Sequence, residues 1–225
     1  MYNLTLVIPA KNEELSLPKV LGELKKYKLN AIIIVNTFNP TIKRLKQEFN
    51  YKIFKQRKGG YGNAIVEGIK KVKTKNLCIF NADGSFDPKY IQKMMRLIEK
   101  KKDFVFASRY KKGGGSDDDT LLTFMGNKFF TFLGNFFFNV KISDILFTYT
   151  IGKTNSFKKL KLISNDFRLC VEIPLKIVKK DMSYDDMAVY ERKRMAGKKN
   201  VNEFKDGFLI LSYLVKAFFV KMFKK

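Results

Sequence analysis

Among its 225 residues the chain has no histidine and no tryptophan, so imidazole catalysis and histidine-based metal ligation are excluded. Cysteine is nearly absent as well. Cys78 falls in an apolar run and Cys170 near a helix start, with neither the number nor the spacing of a disulfide framework or a zinc site. No uninterrupted apolar stretch reaches the ~20 residues that a membrane-spanning helix needs. Residues 120–140 come nearest, but Asn127, Lys128, Asn135, Asn139 and the glycines interrupt them. A signal peptide is not expected either, since Lys11, Glu13 and Glu14 break the opening apolar run, and a cytoplasmic location is the expectation that follows. Acidic residues are scarce: 21 Asp and Glu stand against 45 Lys and Arg, a net charge of +24.

That excess calls for a polyanionic partner or reflects a skewed codon supply, and charge alone does not choose. Nucleic acid, anionic lipid headgroups and phosphorylated substrates all qualify electrostatically. The basic residues are scattered over many helical segments without a recognisable nucleic-acid-binding motif, which argues against groove-specific recognition.

At 45% hydrophobic residues the chain can bury one sizeable core, and a single domain over residues 1–225 is the economical reading. Its first 110 residues alternate short apolar runs with helical periodicity, as an α/β fold with a mostly parallel central sheet flanked by helices requires. Strands are expected at Leu4–Ile8, Ala31–Val35, Tyr51–Phe54, Leu77–Phe80 and Phe104–Ala107. Helices are expected at Leu15–Lys26, Thr41–Phe49, Gly62–Val72 and Lys89–Lys100, with Asn39-Pro40 as a cap and first-turn proline. Residues 111–204 form a more apolar second half, entered through Lys111–Asp119, whose three glycines and three aspartates read as a flexible loop. Residues 205–225 read as an amphipathic helix suited to a headgroup layer or a partner, while 120–140 suits partial burial as well as lipid contact.

The chemistry concentrates at Asn81-Ala82-Asp83-Gly84-Ser85-Phe86-Asp87-Pro88, an acidic turn between the apolar run ending at Phe80 and a helical segment from Lys89. Such a turn puts carboxylates at the carboxyl edge of the sheet, where α/β proteins bind ligands. A nucleoside diphosphate leaving a sugar needs its charge neutralised, and Mg²⁺ or Mn²⁺ held by Asp83 and the phosphates would do this. Asp87, followed by proline, reads as a helix cap. Lys58 with Gly59, Gly60 and Gly62 offers backbone amides to a phosphate, or simply starts a helix.

Pro9-Ala10-Lys11-Asn12-Glu13-Glu14, the Lys58–Ala64 glycine cluster, the acidic turn and Ala107-Ser108-Arg109-Tyr110, in that order, resemble the family 2 glycosyltransferases of the GT-A fold. The resemblance is strongest to the dolichol-phosphate mannosyltransferase and polyprenyl-phosphate glycosyltransferase branch. It implies an inverting transfer of sugar from a nucleotide-diphosphate sugar to a membrane-associated acceptor, with a polyprenyl phosphate as the expected one. The resemblance assigns Pro9, Lys11 and Glu13 to nucleotide binding, although Glu13 also suits a first-turn helix acid. Asn36 replaces a nucleoside-contacting aspartate of the family. Asn81-Ala82-Asp83 replaces its Asp-x-Asp, with the later aspartate retained and Ser85 at a second metal-contacting position. Arg109, and Arg194 in Arg194-Met195-Ala196-Gly197-Lys198-Lys199, match phosphate-binding arginines, while Arg192, Lys193 and Lys198 also read as solvated charges. Asp144 and Glu172 match acceptor-side acidic positions, each either functional or a structural partner for an arginine. The loss of one carboxylate leaves a catalytically silent, membrane-associated binding module as the alternative, and bulk charge alone leaves a nucleic-acid-binding one.

Overall fold

The computed structural model describes residues 3–197 and 201–222. Nine strands and eight α-helices follow in the order β1 Leu4–Ala10, α1 Leu17–Lys26, β2 Asn30–Val35, α2 Pro40–Glu48, β3 Lys52–Lys55, α3 Tyr61–Lys71, β4 Asn76–Ile79, α4 Ile91–Glu99, β5 Phe104–Ser108, β6 Gly115–Ser116, α5 Leu121–Phe138, β7 Thr150–Lys153, α6 Thr154–Leu160, α7 Leu169–Lys179, β8 Tyr184–Ala188, β9 Tyr190–Glu191 and α8 Glu203–Met222 among the described residues. Seven strands form one sheet in the order β3-β2-β1-β4-β7-β5-β8. Only β7 runs antiparallel, between β4 and β5. Because β7 comes from the second half of the chain, residues 1–110 and 111–204 share this sheet.

Burial on both faces explains the near-continuous apolar runs of the central strands. Alternate residues of β1 serve opposite cores: Leu6 and Ile8 pack with Leu21 of α1, Leu45 of α2 and Met94 of α4. Val7 points the other way, into a core with Ile65 of α3, Phe157 of α6 and Val171 of α7. Each such side chain contributes about 1.5–3 kcal/mol by leaving water. Gly68 lets α3 lie close on β1, since a Cβ there would stand 2.3 Å from Val7 Cγ1.

The helix starts follow local chemistry. Asn39 caps α2 by accepting a hydrogen bond from the Ile42 amide at 2.9 Å, with Pro40 at the first helical position. Asp87 caps in the same way, accepting from the Lys89 amide at 3.0 Å ahead of a 3₁₀ turn at Pro88–Tyr90 that leads into α4.

One expectation is corrected. The Lys111–Asp119 segment holds strand β6, which pairs with β9, and each of its three aspartates is anchored. Tyr190 Oη donates to Asp117 at 2.6 Å, Arg194 to Asp118 at 3.1 Å, and Arg109 to Asp119 at 3.1 Å. Composition foresaw a flexible loop because all three partners lie outside the segment.

Candidate active site

The parallel strands end on one side of the sheet, and the turns that follow β1 and β4 open there into a cleft of about 560 Å³. Pro9, Lys11 and Glu13 reach it from β1 and its turn, and Asn81, Ala82 and Asp83 from the turn after β4. Arg109 enters from the end of β5 and Arg194 from the segment after β9. Helices α5 and α8 add Leu122, Phe130, Phe204 and Ile210 to the lining, interspersed with the polar Thr123 and Asn127 and the charged Glu203, Lys205 and Asp206.

Asp83 and Arg194 meet across 111 positions of sequence. The Asp83 backbone carbonyl accepts from the Met195 amide at 2.8 Å, which ties the acidic turn to the Arg194–Gly197 segment. Gly84 permits this approach: it sits at φ +83°, and a Cβ on it would stand 2.4 Å from Met195 Cγ. Arg194 Nη2 then lies 3.7 Å from Asp83 Oδ2 and 3.1 Å from Asp118 Oδ2. Burial works against the Arg194 charge, but Asp118, then Asp83 and Glu13, outweigh it and hold the guanidinium above its ordinary pKa. Glu13 is also shifted upward, which for a carboxyl favours the neutral form. Burial, and then the Asp83 charge, push its pKa up, while the Ser16 hydroxyl that donates to it at 2.7 Å and the Arg194 charge pull it down.

Arg109 is used differently. Its Nε donates to Asp144 Oδ2 at 2.7 Å and its Nη2 to Asp144 Oδ1 at 3.0 Å, a bidentate pair. Its Nη1 donates to Asp119 at 3.1 Å and to Glu191 at 3.2 Å. The guanidinium also lies 4.5 Å from the Phe147 ring centroid. The fork that sequence reasoning gave to a phosphate is therefore engaged by three carboxylates. Asp144, buried behind it, is the arginine's structural partner. Burial raises the pKa of Asp144 and of Glu191, with Arg109 opposing the rise in both.

Several further positions stand apart from the cleft lining. Asn36 follows β2 outside its lining, and Lys58, exposed, uses its backbone amide to donate to Glu67 at 3.1 Å. Gly60 and Gly62 serve packing, since Cβ atoms on them would stand 2.1 Å from the Asn165 carbonyl oxygen and 2.2 Å from that of Ser164, whereas Gly59 has open space there. Ser85 is buried, its hydroxyl has no hydrogen-bond partner among the described residues, and it does not line the cleft. Its amide instead donates to Asp83 Oδ1 at 3.0 Å, fixing the carboxylate. Glu172, fully buried, accepts from the Ile163 and Ser164 amides at 2.8 Å each and so holds the segment before α7. Arg192 pairs with Glu23 at 2.8 Å, and Lys198 lies outside the described residues.

The structure adds residues that no motif singled out. Tyr61 Oη donates to Asn81 Oδ1 at 3.3 Å, shares a 2.7 Å hydrogen bond with Thr148 Oγ1, and its ring stacks on Phe167 with centroids 4.7 Å apart. The amide that replaces the first carboxylate is thus held in a polar network at the cleft wall. Asp118, Asp119 and Glu191 also belong to the site. The three-aspartate run was visible in the sequence, but its partners were not. Among the described residues, no group of three or more acidic or cysteine side chains is gathered to hold a metal ion by itself.

The sequence model of glycosyl transferase family 2 matches residues 5–161. An uncharacterized glycosyltransferase of Mycobacterium tuberculosis and one of Mycobacterium bovis are each 27% identical over 110 residues, which is 49% of this chain and 50% of theirs. The matched region thus spans about half the length of these relatives. Among solved structures, mannosyl-3-phosphoglycerate synthase from Rubrobacter xylanophilus superposes with a TM-score of 0.70 at 14% identity, covering 97% of this chain and 73% of that one. Glucosyl-3-phosphoglycerate synthase from Mycobacterium tuberculosis, in complex with Mn²⁺, UDP-glucose and phosphoglyceric acid, gives 0.73 at 10% identity, covering 96% and 79%. The architecture is the GT-A fold, and the chain belongs to glycosyl transferase family 2.

Proposed function

We propose that this glycosyltransferase moves a sugar, with inversion, from a nucleotide-diphosphate donor to a lipid-borne phosphate, a polyprenyl phosphate, at an anionic membrane surface. The observation that carries the reading is the convergence of Asp83 and Arg194 on a cleft that also exposes the apolar Leu122, Phe130, Phe204 and Ile210 of α5 and α8. Opposite charges side by side in a donor cleft suit a metal–diphosphate: the carboxylate faces the cation and the guanidinium the phosphate oxygens.

The donor set fits Mg²⁺ or Mn²⁺. Asp83 supplies a hard carboxylate oxygen whose orientation the Ser85 amide fixes, and the Asn81 amide stands two residues earlier. With a single carboxylate in this motif, the donor's own phosphates would complete the coordination. When bound, the ion neutralises charge developing on the departing diphosphate.

In the transfer, the bond between the sugar C1 and the donor phosphate oxygen breaks, its electron pair staying with the nucleoside diphosphate. An acceptor phosphate oxygen forms the new bond from the opposite face. No enzymic base is required, because a phosphate monoester is largely ionised near neutral pH. Asp144 therefore needs to take no proton, in accord with its engagement by Arg109. Arg194 binds and orients phosphate, with Lys11 and Glu13 on the same cleft wall for the nucleotide side.

Incubation with a panel of nucleotide sugars, Mn²⁺ and either a polyprenyl phosphate or 3-phosphoglycerate tests the reading. The expected product is an acid-labile glycosyl phosphate of the prenyl lipid. Transfer to 3-phosphoglycerate alone would reject the lipid acceptor, and transfer to neither with any donor would reject the activity.

A further inference from the structure

Helices α5 and α8 carry large apolar side chains on their exposed faces as well as on their buried ones. On α5 the buried face holds Asn127, Phe130, Thr131, Gly134 and Phe138, while Leu121, Met125, Phe132 and Phe136 face solvent, Phe136 at 69% exposure. Spacings of four, seven and four residues put these four on one stripe. On α8, Ile210 and Leu214 turn inward, whereas Phe204, Phe208, Leu211 and Val215 form an exposed stripe at spacings of four, three and four, with Phe208 72% exposed. The helices lie against each other, with the Phe137 and Phe218 rings 5.2 Å apart.

Single exposed apolar residues are ordinary, but two neighbouring stripes of large ones are not. We infer that the paired outer faces of α5 and α8 form one platform that docks on an anionic lipid bilayer and presents the cleft to it. The inference rests on the lipid-phosphate acceptor proposed above and assigns the surface by which that acceptor is reached.

Charge selects the lipid. Residues 120–140 contain no Asp or Glu, exposed Lys128 of α5 with Lys205 and Lys216 of α8 flanks the aromatic stripes, and the two acids of α8, Glu203 and Asp206, are confined to its first turn. Aromatic and aliphatic side chains entering the acyl boundary, with lysines at headgroup level, is the arrangement of an interfacial helix. A second copy of a chain carrying +24 would instead set these lysines against one another. Continuity with the cleft is the second argument. Leu122 and Phe204 belong both to the exposed surface and to the cleft wall, so a prenyl chain can stay in apolar surroundings while its phosphate reaches Arg194. Among the described residues no helix is long and apolar enough to cross a membrane, and the platform needs none.

The full chain is sedimented with vesicles of phosphatidylcholine alone and of phosphatidylcholine and phosphatidylglycerol in equal parts. The comparison includes Phe132→Ser with Phe136→Ser on α5, and Phe208→Ser with Val215→Ser on α8, none of which lines the cleft. Wild type is expected on the anionic vesicles, less so in added salt, and each double variant is expected to bind at least tenfold more weakly while transferring sugar to a short, water-soluble prenyl phosphate at the wild-type rate. Wild-type vesicle binding by the α5 variant, or no binding by wild type, would overturn the platform. A lipid-free dimer that either variant dissociates would assign the surface to a second copy instead. Docking as expected without transfer to any prenyl phosphate would leave the platform standing and remove the proposed acceptor.

Discussion

Arg109 and Asp144, 35 positions apart, face each other through two hydrogen bonds of 2.7 and 3.0 Å, with Asp144 almost wholly buried. The pair joins the end of β5 to the segment before β7 and braces the wall of the cleft. Removing one partner of a buried ion pair leaves the other without its match, a loss that outweighs the small net worth of the intact pair. Asp144→Asn is therefore expected to lower stability by about 3 kcal/mol, tempered by Asp119 and Glu191, which still accept from Arg109. Urea denaturation checks this. Unchanged stability with abolished transfer would make Asp144 a catalytic base.

Arg194→Ala separates binding from folding. Its guanidinium is partly exposed and touches Asp118 and Asp83 at the cleft, so the fold is expected to tolerate its loss. Charge-assisted hydrogen bonds to a diphosphate are worth about 1.5–3 kcal/mol, so donor affinity should fall roughly tenfold to hundredfold. Calorimetric titration with the preferred nucleoside diphosphate reads the affinity, and a thermal melt reads the fold. A variant that binds as tightly as wild type would remove Arg194 from the donor site.

Glu13 gives a pH dependence with a definite sign. Its folded pKa is raised, by burial first and by the Asp83 charge. The protonated form is thus favoured in the folded state, a contribution fully present below the unfolded value of about 4.3 and lost as pH rises through the folded pKa. Glu13→Gln removes that loss while keeping an oxygen for Ser16. The melting temperature of the variant relative to wild type should therefore be higher at pH 7.5 than at pH 4. Parallel melting curves across that range would contradict the assignment.

Two glycine substitutions in helices should differ in sign. Glycine to alanine gains about 1 kcal/mol of helix propensity where space allows. Gly22 of α1 has no atom within 4 Å of its would-be Cβ, so Gly22→Ala should stabilise by that amount. At Gly62 the new Cβ would stand 2.2 Å from the Ser164 carbonyl oxygen, and backbone cannot yield as a flexible side chain can. Gly62→Ala should thus destabilise by about 1–3 kcal/mol. Paired denaturation curves test this directly, and equal shifts for both would refute the packing role of the glycine cluster.

The first half of the fold was legible because apolar period and helix caps are local signals. All five expected strands and all four helices are present there, with ends displaced by two residues at most, apart from the 3₁₀ turn inserted before α4. Strand β7 was not expected, since Thr150–Lys153 is four residues long and carries no alternation of its own; its place is set by the strands on either side. Motif spacing pointed to Asp83 and Arg194, and the structure brings the two together at one cleft. The roles of Lys58, Ser85 and Arg109 were not readable, because each depends on a contact made by folding: the Glu67 carboxylate, the closed acidic turn, and the carboxylates of Asp119, Asp144 and Glu191. Asp118 and Tyr61 stand in the sequence as a loop aspartate and a helix-start tyrosine, and only the fold sets them beside Arg194 and Asn81. Family membership answers the charge-based alternative of nucleic-acid binding, which no sequence motif supported.

If Asp83 carries the donor's metal ion as proposed, Asp83→Asn is the decisive variant. The amide oxygen can still accept from the Ser85 backbone at the place where the carboxylate does now, so the turn should keep its shape. Transfer is measured with the donor and Mn²⁺ at saturating levels, beside wild type with and without excess EDTA. The variant should lose at least ~10²-fold in rate with an unchanged melting temperature, and wild type in EDTA should fall comparably. A wild-type rate in the variant, or undiminished wild-type transfer in EDTA, would contradict the proposal.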